Sequence, residues 1–333
     1  MHSRGSSFAV RLRASFLRPL VLLSALAGVA CSSNPPSATQ ACTDLAKAQC
    51  AQVAQCDPVT MGAEWGNDQS QCTASFTASC VAINSFYGHG ATPSSVEACA
   101  SAVRGQACAN YGESLPACQT PPGTLANGAP CSIGAQCAGG ACHLSDPTQC
   151  GTCTQKSPVP AGACRFNDDC PAAEVCAYTG QCSKPGGGGA ACGGNETCAP
   201  GFRCAFDDGG TSGTCAALPA KGQPCLQSNI VLGGTLVGGC ASGLVCENQI
   251  CVTPTWVPLG GACPTPGFPS SSNAQICAGG ACLGGVCVAF ATAGSPCNNG
   301  FSSPPCAPGL ECTNRVCVQL GTSVSCGLVG DGG

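Results

Sequence analysis

Thirty-five cysteines in 333 residues constrain this chain more than any other feature. That density exceeds the level at which a disulfide scaffold in an oxidising compartment becomes the default reading. From Gly128 onward the cysteines are also periodic. A cysteine preceded by a short glycine-containing segment returns at Cys131, Cys164, Cys192, Cys225, Cys263 and Cys297, in steps of 33, 28, 33, 38 and 34 residues. Such a period marks an array in which each repeat is one small supersecondary unit. Five of the six units hold four cysteines, and the first holds five: Cys131, Cys137, Cys142, Cys150 and Cys153. The fifth thiol of the first unit and the late Cys326 stand outside the rule of four.

The clearest repeat is Cys-x5-Cys-x4-Cys-Val. It occurs as Cys240, Cys246, Cys251 and Val252, and again as Cys306, Cys312, Cys317 and Val318. Leu244-Val245-Cys246 and Ile250-Cys251-Val252 are short apolar strands around a polar turn. Asn248 there, or Gly284-Gly285 in the fifth unit, supplies the positive φ that a tight hairpin needs. Cys225 and Cys297 open these two units, and their cysteines clip hairpin to loop. A bridge closing about 15 residues contributes roughly 3 kcal/mol in the chain-entropy model. That is a large share of a small domain's stability.

Composition agrees with many small cores. Aromatic residues are 5% and charged residues 8% of the chain, against 47 glycines and 26 prolines. Few large side chains are present to bury, so one extended core is excluded and bridges must supply the order. Removing residues 1–30, with Arg4, Arg11, Arg13 and Arg18, leaves 8 basic against 16 acidic residues. An acidic chain without a basic stripe argues against a nucleic-acid partner.

Residues 1–18 hold four arginines and no acid, and Leu20 to Ala30 is an apolar run too short to cross a bilayer. The pattern is that of a signal peptide over 1–30. Gly28-Val29-Ala30-Cys31 resembles the lipobox of bacterial lipoproteins, with Gly28 where that family usually has Leu. The resemblance implies cleavage before Cys31 and lipidation of Cys31, anchoring the chain to a membrane. Cleavage of the ordinary kind would instead leave Cys31 free or bridged, in a secreted protein. Without Cys31 the cysteines number 34, an even count. Ser32 resembles the residue of lipoproteins sorted to the outer membrane or cell surface, and residues 31–40 read as an extended lipidated tether.

Between residues 41 and 118 the texture turns helical. Cys42, Leu45, Ala46, Cys50, Val53 and Cys56 share one helical face. Cys72, Phe76, Cys80 and Ile83 share another after Asp68, an N-cap residue. Thr92-Pro93 opens a third helix carrying Val96, Cys99, Ala100 and Val103 inward. The two Cys-x7-Cys pairs place thiols two turns apart, so antiparallel packing pairs Cys42 with Cys80 and Cys50 with Cys72. Eight cysteines allow 105 pairings, so other connectivities stay open.

The expected fold class is therefore small and disulfide-rich: a disulfide-stapled α-helical domain (41–118), then an array of short β-hairpin cysteine-rich modules (119–327) and a flexible tail (328–333). The repeated Cys-Ala-Ser-Gly-Leu-Val-Cys-Glu-Asn-Gln-Ile-Cys-Val resembles the closing segment of the Dickkopf N-terminal cysteine-rich domain. The likeness covers about residues 131–318, although no two cysteines are adjacent here as they are in that family. The whole layout is similar to exported bacterial proteins. The resemblance implies a disulfide hairpin fold and carries over no receptor-binding residues and no Wnt-pathway role.

Catalytic machinery is not expected, nor a metal, a cofactor or a small-molecule substrate. His89 and His143 lack partner motifs, and Ser212 lacks a nucleophile elbow. Cys150-Gly-Thr-Cys153 has redox spacing outside any thioredoxin-like context. Asp168-Asp169 and Asp207-Asp208 have too few companions for calcium. Two insertions vary the repeat. Ile230, Val231, Leu232, Leu236 and Val237 make an apolar hairpin turning at Gly233-Gly234, and residues 264–276 are a Pro/Ser-rich excursion. Loops on a rigid scaffold are where binding varies. The sequence points to a non-enzymatic surface protein whose stapled stalk contacts a protein or glycan. The alternative is a protease inhibitor using Arg203 or Arg315 on a stapled loop.

Overall fold

The structure, a computed structural model, describes residues 35–111, 115–143, 150–155, 163–164, 170, 174–176, 180–193, 197–206, 212–225, 230–232, 235–237, 239–263, 274–297 and 303–319. The expected signal peptide over residues 1–30, Cys31 and Cys326 lie outside them.

Four α-helices come first: α1 (Ala38–Cys56), α2 (Pro58–Trp65), α3 (Gln69–Asn84) and α4 (Pro93–Gly105). Each start is set by a side-chain cap that satisfies amides with no partner inside the helix. Ser37 Oγ accepts from Gln40 N at 3.1 Å. Asp57 takes Thr60 N ahead of Pro58. Asp68 takes Ser70 N and Gln71 N, and Thr92 exchanges bonds with Ser95 ahead of Pro93. The last three residues of the expected tether over 31–40, Ala38 to Gln40, form the first turn of α1.

α1 packs on both α3 and α4. Cys42 bonds Cys80 and Cys50 bonds Cys72, which fixes α1 and α3 antiparallel. Cys56–Cys108 and Cys99–Cys118 tie down two 3₁₀ turns that follow α4. Cys50, Val53, Met61, Trp65 and Cys72 form the main core of this unit, with Phe76 and Tyr111 against it. The Trp65 and Phe76 rings lie 5.5 Å apart.

The rest is a series of short strand pairs, nearly all antiparallel. In all six modules the first cysteine bonds the third and the second bonds the last. The pairs are Cys131–Cys142 with Cys137–Cys153, Cys164–Cys176 with Cys170–Cys182, and Cys192–Cys204 with Cys198–Cys215. They continue as Cys225–Cys246 with Cys240–Cys251, Cys263–Cys282 with Cys277–Cys287, and Cys297–Cys312 with Cys306–Cys317. These crossed bridges are the core of the first, fourth, fifth and sixth modules, as in Cys225, Cys240 and Cys251 with Leu244 and Cys246.

Backbone geometry repeats with the bridges. In the fourth module Val245–Glu247 pairs with Ile250–Val252, placing Cys246 opposite Cys251. Asn248 and Gln249 turn the hairpin with φ of 48° and 64°, the two positive values of a type I′ turn. Three residues before the first cysteine stands Gly222, at φ 81°. It is the third residue of a turn closed by Gln223 N to Ala220 O at 3.0 Å, the place where a type II turn needs glycine. Gly222 N then donates to Cys251 O at 2.8 Å, and Cys251 N to Gln223 O at 2.9 Å. Gly128, Gly189, Gly260 and Gly294 do the same in four other modules.

Four of the modules touch the helical unit. From the first, Gln136 Nε2 donates to Tyr87 O at 2.8 Å. From the fourth, Ser242 Oγ donates to Cys56 O at 2.9 Å. From the fifth, Gly279 N donates to Gly62 O at 3.0 Å, and the Trp256 ring covers Gly62 so closely that a Cβ there would stand 2.3 Å from it. The sixth engages α3 through Ser75 Oγ to Pro308 O and Gln319 Nε2 to Ser79 Oγ.

Candidate functional site

The expected chemical residues do not converge on a reactive centre among the described residues. Cys150 and Cys153 are not bonded to each other, since Cys153 bonds Cys137, so the Cys-Gly-Thr-Cys segment is no redox pair. His89 is half-buried, its Nδ1 accepting from Ala91 N at 3.1 Å, and burial lowers its pKa. It serves to shape its own loop. His143 ends the strand Gly140–His143 at the surface, and Ser212 is exposed just before the strand Gly213–Ala217. Asp168, Asp169, Asp207 and Asp208 fall outside the described residues.

Three sulfurs gather within 4.8 Å of one another in each of five modules, for example Cys131, Cys137 and Cys153. This spacing is what two crossed bridges produce. The sulfurs are oxidised, and metal binding needs thiolates, so these clusters are structural.

The candidate inhibitory arginines are not displayed as free extended loops. Arg203 lies within the strand Phe202–Phe206, paired to Ala216. Arg315 is the second residue of a hairpin turn at φ 65°, its carbonyl accepting from Cys297 N at 2.9 Å. A protease cleft takes its peptide in extended, strand-like form, which a left-handed turn residue does not offer.

Of the two insertions, Ile230–Leu232 pairs antiparallel with Thr235–Val237, Leu232 facing Thr235, while the expected turn at Gly233-Gly234 lies outside the described residues. In the second, residues 264–273 lie outside the described set, and the end of the expected excursion belongs to a strand. Gln275–Cys277 pairs in parallel with Thr255–Val257, and Glu247 Oε1 of the fourth module accepts from Ala274 N at 3.0 Å.

One surface feature escaped the sequence reading. The residue before the last cysteine is Ile250, Val286 and Val316 in the fourth, fifth and sixth modules, and these are 38, 40 and 37% exposed. Opposite them stand exposed Pro224, Ala262 and Pro296. The first three modules hold Thr152, Gln181 and Thr214 at the same place. The alignment of copies could have shown this contrast, but only the hairpin register shows that the position faces solvent. Searches against protein-family models, curated proteins and solved structures return no match to this chain.

Proposed function

We propose that this chain is an exported, lipid-anchored surface protein without catalytic activity, whose modules bind a protein partner. The arginine-rich leader and the Gly-Val-Ala-Cys31 segment support export and the anchor, and the Dickkopf-like hairpins serve as scaffold. The observation that carries the binding reading is the repeated apolar position Ile250, Val286 and Val316. It is exposed three times on modules whose remaining backbone is held by the same bridges and turns. A single exposed aliphatic side chain is ordinary; what supports the reading is its return at one position in three copies where the other three copies are polar. Three weak contacts on one scaffold combine through effective concentration into a firm one. The apolar hairpin over residues 230–237 adds a non-repeated element through which the partner is selected.

The test uses the full chain on intact cells. Mass spectrometry of the mature N-terminus finds a diacylated Cys31, and an unmodified Cys31 ends the lipoprotein reading. Crosslinking recovers the same partners from wild type reproducibly. A triple variant, Ile250→Ser, Val286→Ser and Val316→Ser, and a deletion of residues 230–237 each lose them. Undiminished capture by the triple variant rejects the binding surface.

A further inference from the structure

We propose that the bridge Cys56–Cys108 is a reducible lock: it opens before the other bridges whose two halves are described, and its opening releases the fourth module from the corner between α1 and α2 while the helical unit stays stapled. Access singles it out. Of these sixteen bridges every other one has at least one buried half-cystine, and Cys56–Cys108 alone has none. Exchange proceeds by thiolate attack on an accessible sulfur, so a bridge with both halves partly open to solvent is met first.

Position gives the opening its consequence. Cys56 is the last residue of α1, and its carbonyl accepts from Ser242 Oγ of the fourth module at 2.9 Å. Asp57 follows, closing α1 through its amide to Val53 O at 2.8 Å and capping α2 through Oδ1. Pro58 lies beside Gly243 of the fourth module, where a Cβ would stand 3.5 Å from the proline ring. Residues 56–58 are therefore the seat of the turn that Leu244 N closes on Ala241 O. Cys108 opens the 3₁₀ turn Cys108–Asn110, and Tyr111 after it packs on the main core. The bridge ties the seat to that turn, and a helix terminus released from its tie is among the first places to open.

The rest of the helical unit does not depend on this bond. It closes a loop of 52 residues, yet Cys72 and Cys80 inside the loop are bonded to Cys50 and Cys42 of α1. Cys99–Cys118 encloses Cys108. Gln52 Nε2 of α1 donates to Gln106 Oε1 at 2.7 Å, and Gln106 Nε2 donates to Asn110 O at 2.6 Å, so hydrogen bonds hold the turn beside α1. Once opened, the two thiols stay near each other, and oxidation closes the lock again.

The step is exchange with a dithiol. One of its thiolates attacks one sulfur of the bridge, and the other sulfur leaves and takes up a proton. The second thiol resolves the mixed disulfide, so the dithiol ends as a disulfide and the protein as two thiols.

Dithiothreitol titration of the full chain, with alkylation and peptide mapping, reads the order of opening, and hydrogen exchange on the same samples reads its effect. Cys56 and Cys108 are expected to be labelled at a dithiothreitol concentration about tenfold lower than the cysteines of the other fifteen bridges. At that concentration the amides of Asp57 and Leu244 are expected to exchange about tenfold faster, with residues 42–50 and the strand Gly213–Ala217 unchanged. Labelling of Cys56 and Cys108 together with or after the others overturns the lock. So does early labelling with no change at Leu244. A chain carrying Cys56→Ser and Cys108→Ser is expected to show the faster exchange without reductant, and unchanged exchange in the folded variant also overturns the lock. Should the variant not fold, the wild-type titration decides alone.

Discussion

Adding one methyl group to Gly222 or to Gly62 tests two different constraints. Gly222 sits at φ 81° with no atom within 4 Å of a Cβ, so alanine there meets only backbone strain. Gly222→Ala is expected to lower stability by about 1–2 kcal/mol, read as an earlier denaturant midpoint. The reverse holds where a side chain already occupies that region. Gln249 and Arg315, at φ 64° and 65°, are turn residues whose carbonyls must accept from the first cysteine's amide. Gln249→Gly and Arg315→Gly keep that bond, relieve the strain and raise the midpoint by the equivalent of about 1 kcal/mol. Gln136 is the single fully buried polar side chain among the described residues. Its Oε1 accepts from Ser132 N at 2.7 Å and Ile133 N at 3.1 Å while its Nε2 reaches Tyr87 O. Gln136→Leu strands these groups without partners, at about 1–3 kcal/mol for each one left buried, and the loss appears in thermal melting.

Helix α2 is the element on which the two kinds of structure meet. It carries no cysteine, and its Met61 and Trp65 enter the helical core while Gly62 takes the Trp256 ring. Gly62→Ala forces the indole out, an overpacking cost of about 1–3 kcal/mol. Gly62→Ala added to Trp256→Ala meets no ring, so the double variant is expected to fall short of the sum of the singles. Strict additivity in urea denaturation argues against this contact. Glu64 of α2 has its pKa raised by burial and then by the Asp57 carboxylate. The protonated form suits the folded state better, so this contribution is full at pH below the ordinary carboxylate range and is lost as pH rises through the raised value. Glu64→Gln should therefore melt higher than wild type at neutral pH, with the difference vanishing in acid. α1, α3 and α4 were legible because Cys-x7-Cys and Thr92-Pro93 mark faces and starts locally. α2 was missed although Asp57-Pro58 and Gly66 bracket it, because eight residues carry too little periodicity to stand out between longer helices. The Gly62–Trp256 contact joins residues with no shared local pattern, and spacing alone cannot announce it.

Across the molecule, stability is distributed over bridges closing loops of 10 to 52 residues, each of the order of 3 kcal/mol for the shorter loops in the chain-entropy model. Full reduction is expected to abolish the hairpins and helices together in far-ultraviolet circular dichroism, and a chain that keeps its native spectrum after complete alkylation would refute this dependence. The hairpins were legible from Cys-Val and their turn residues, yet the crossing was not. Cys246 and Cys251 lie directly opposite each other and still bond Cys225 and Cys240 instead, a choice that the spacing of the cysteines does not announce. The crossing has a consequence for how the chain is made. Cysteines that become oxidised in the order of their synthesis would join first to second and third to last, which is wrong in every module. Native pairing waits for the last cysteine of each set, so maturation needs bond exchange as well as oxidation. A cell lacking disulfide isomerase activity should accumulate this chain fully oxidised and misfolded.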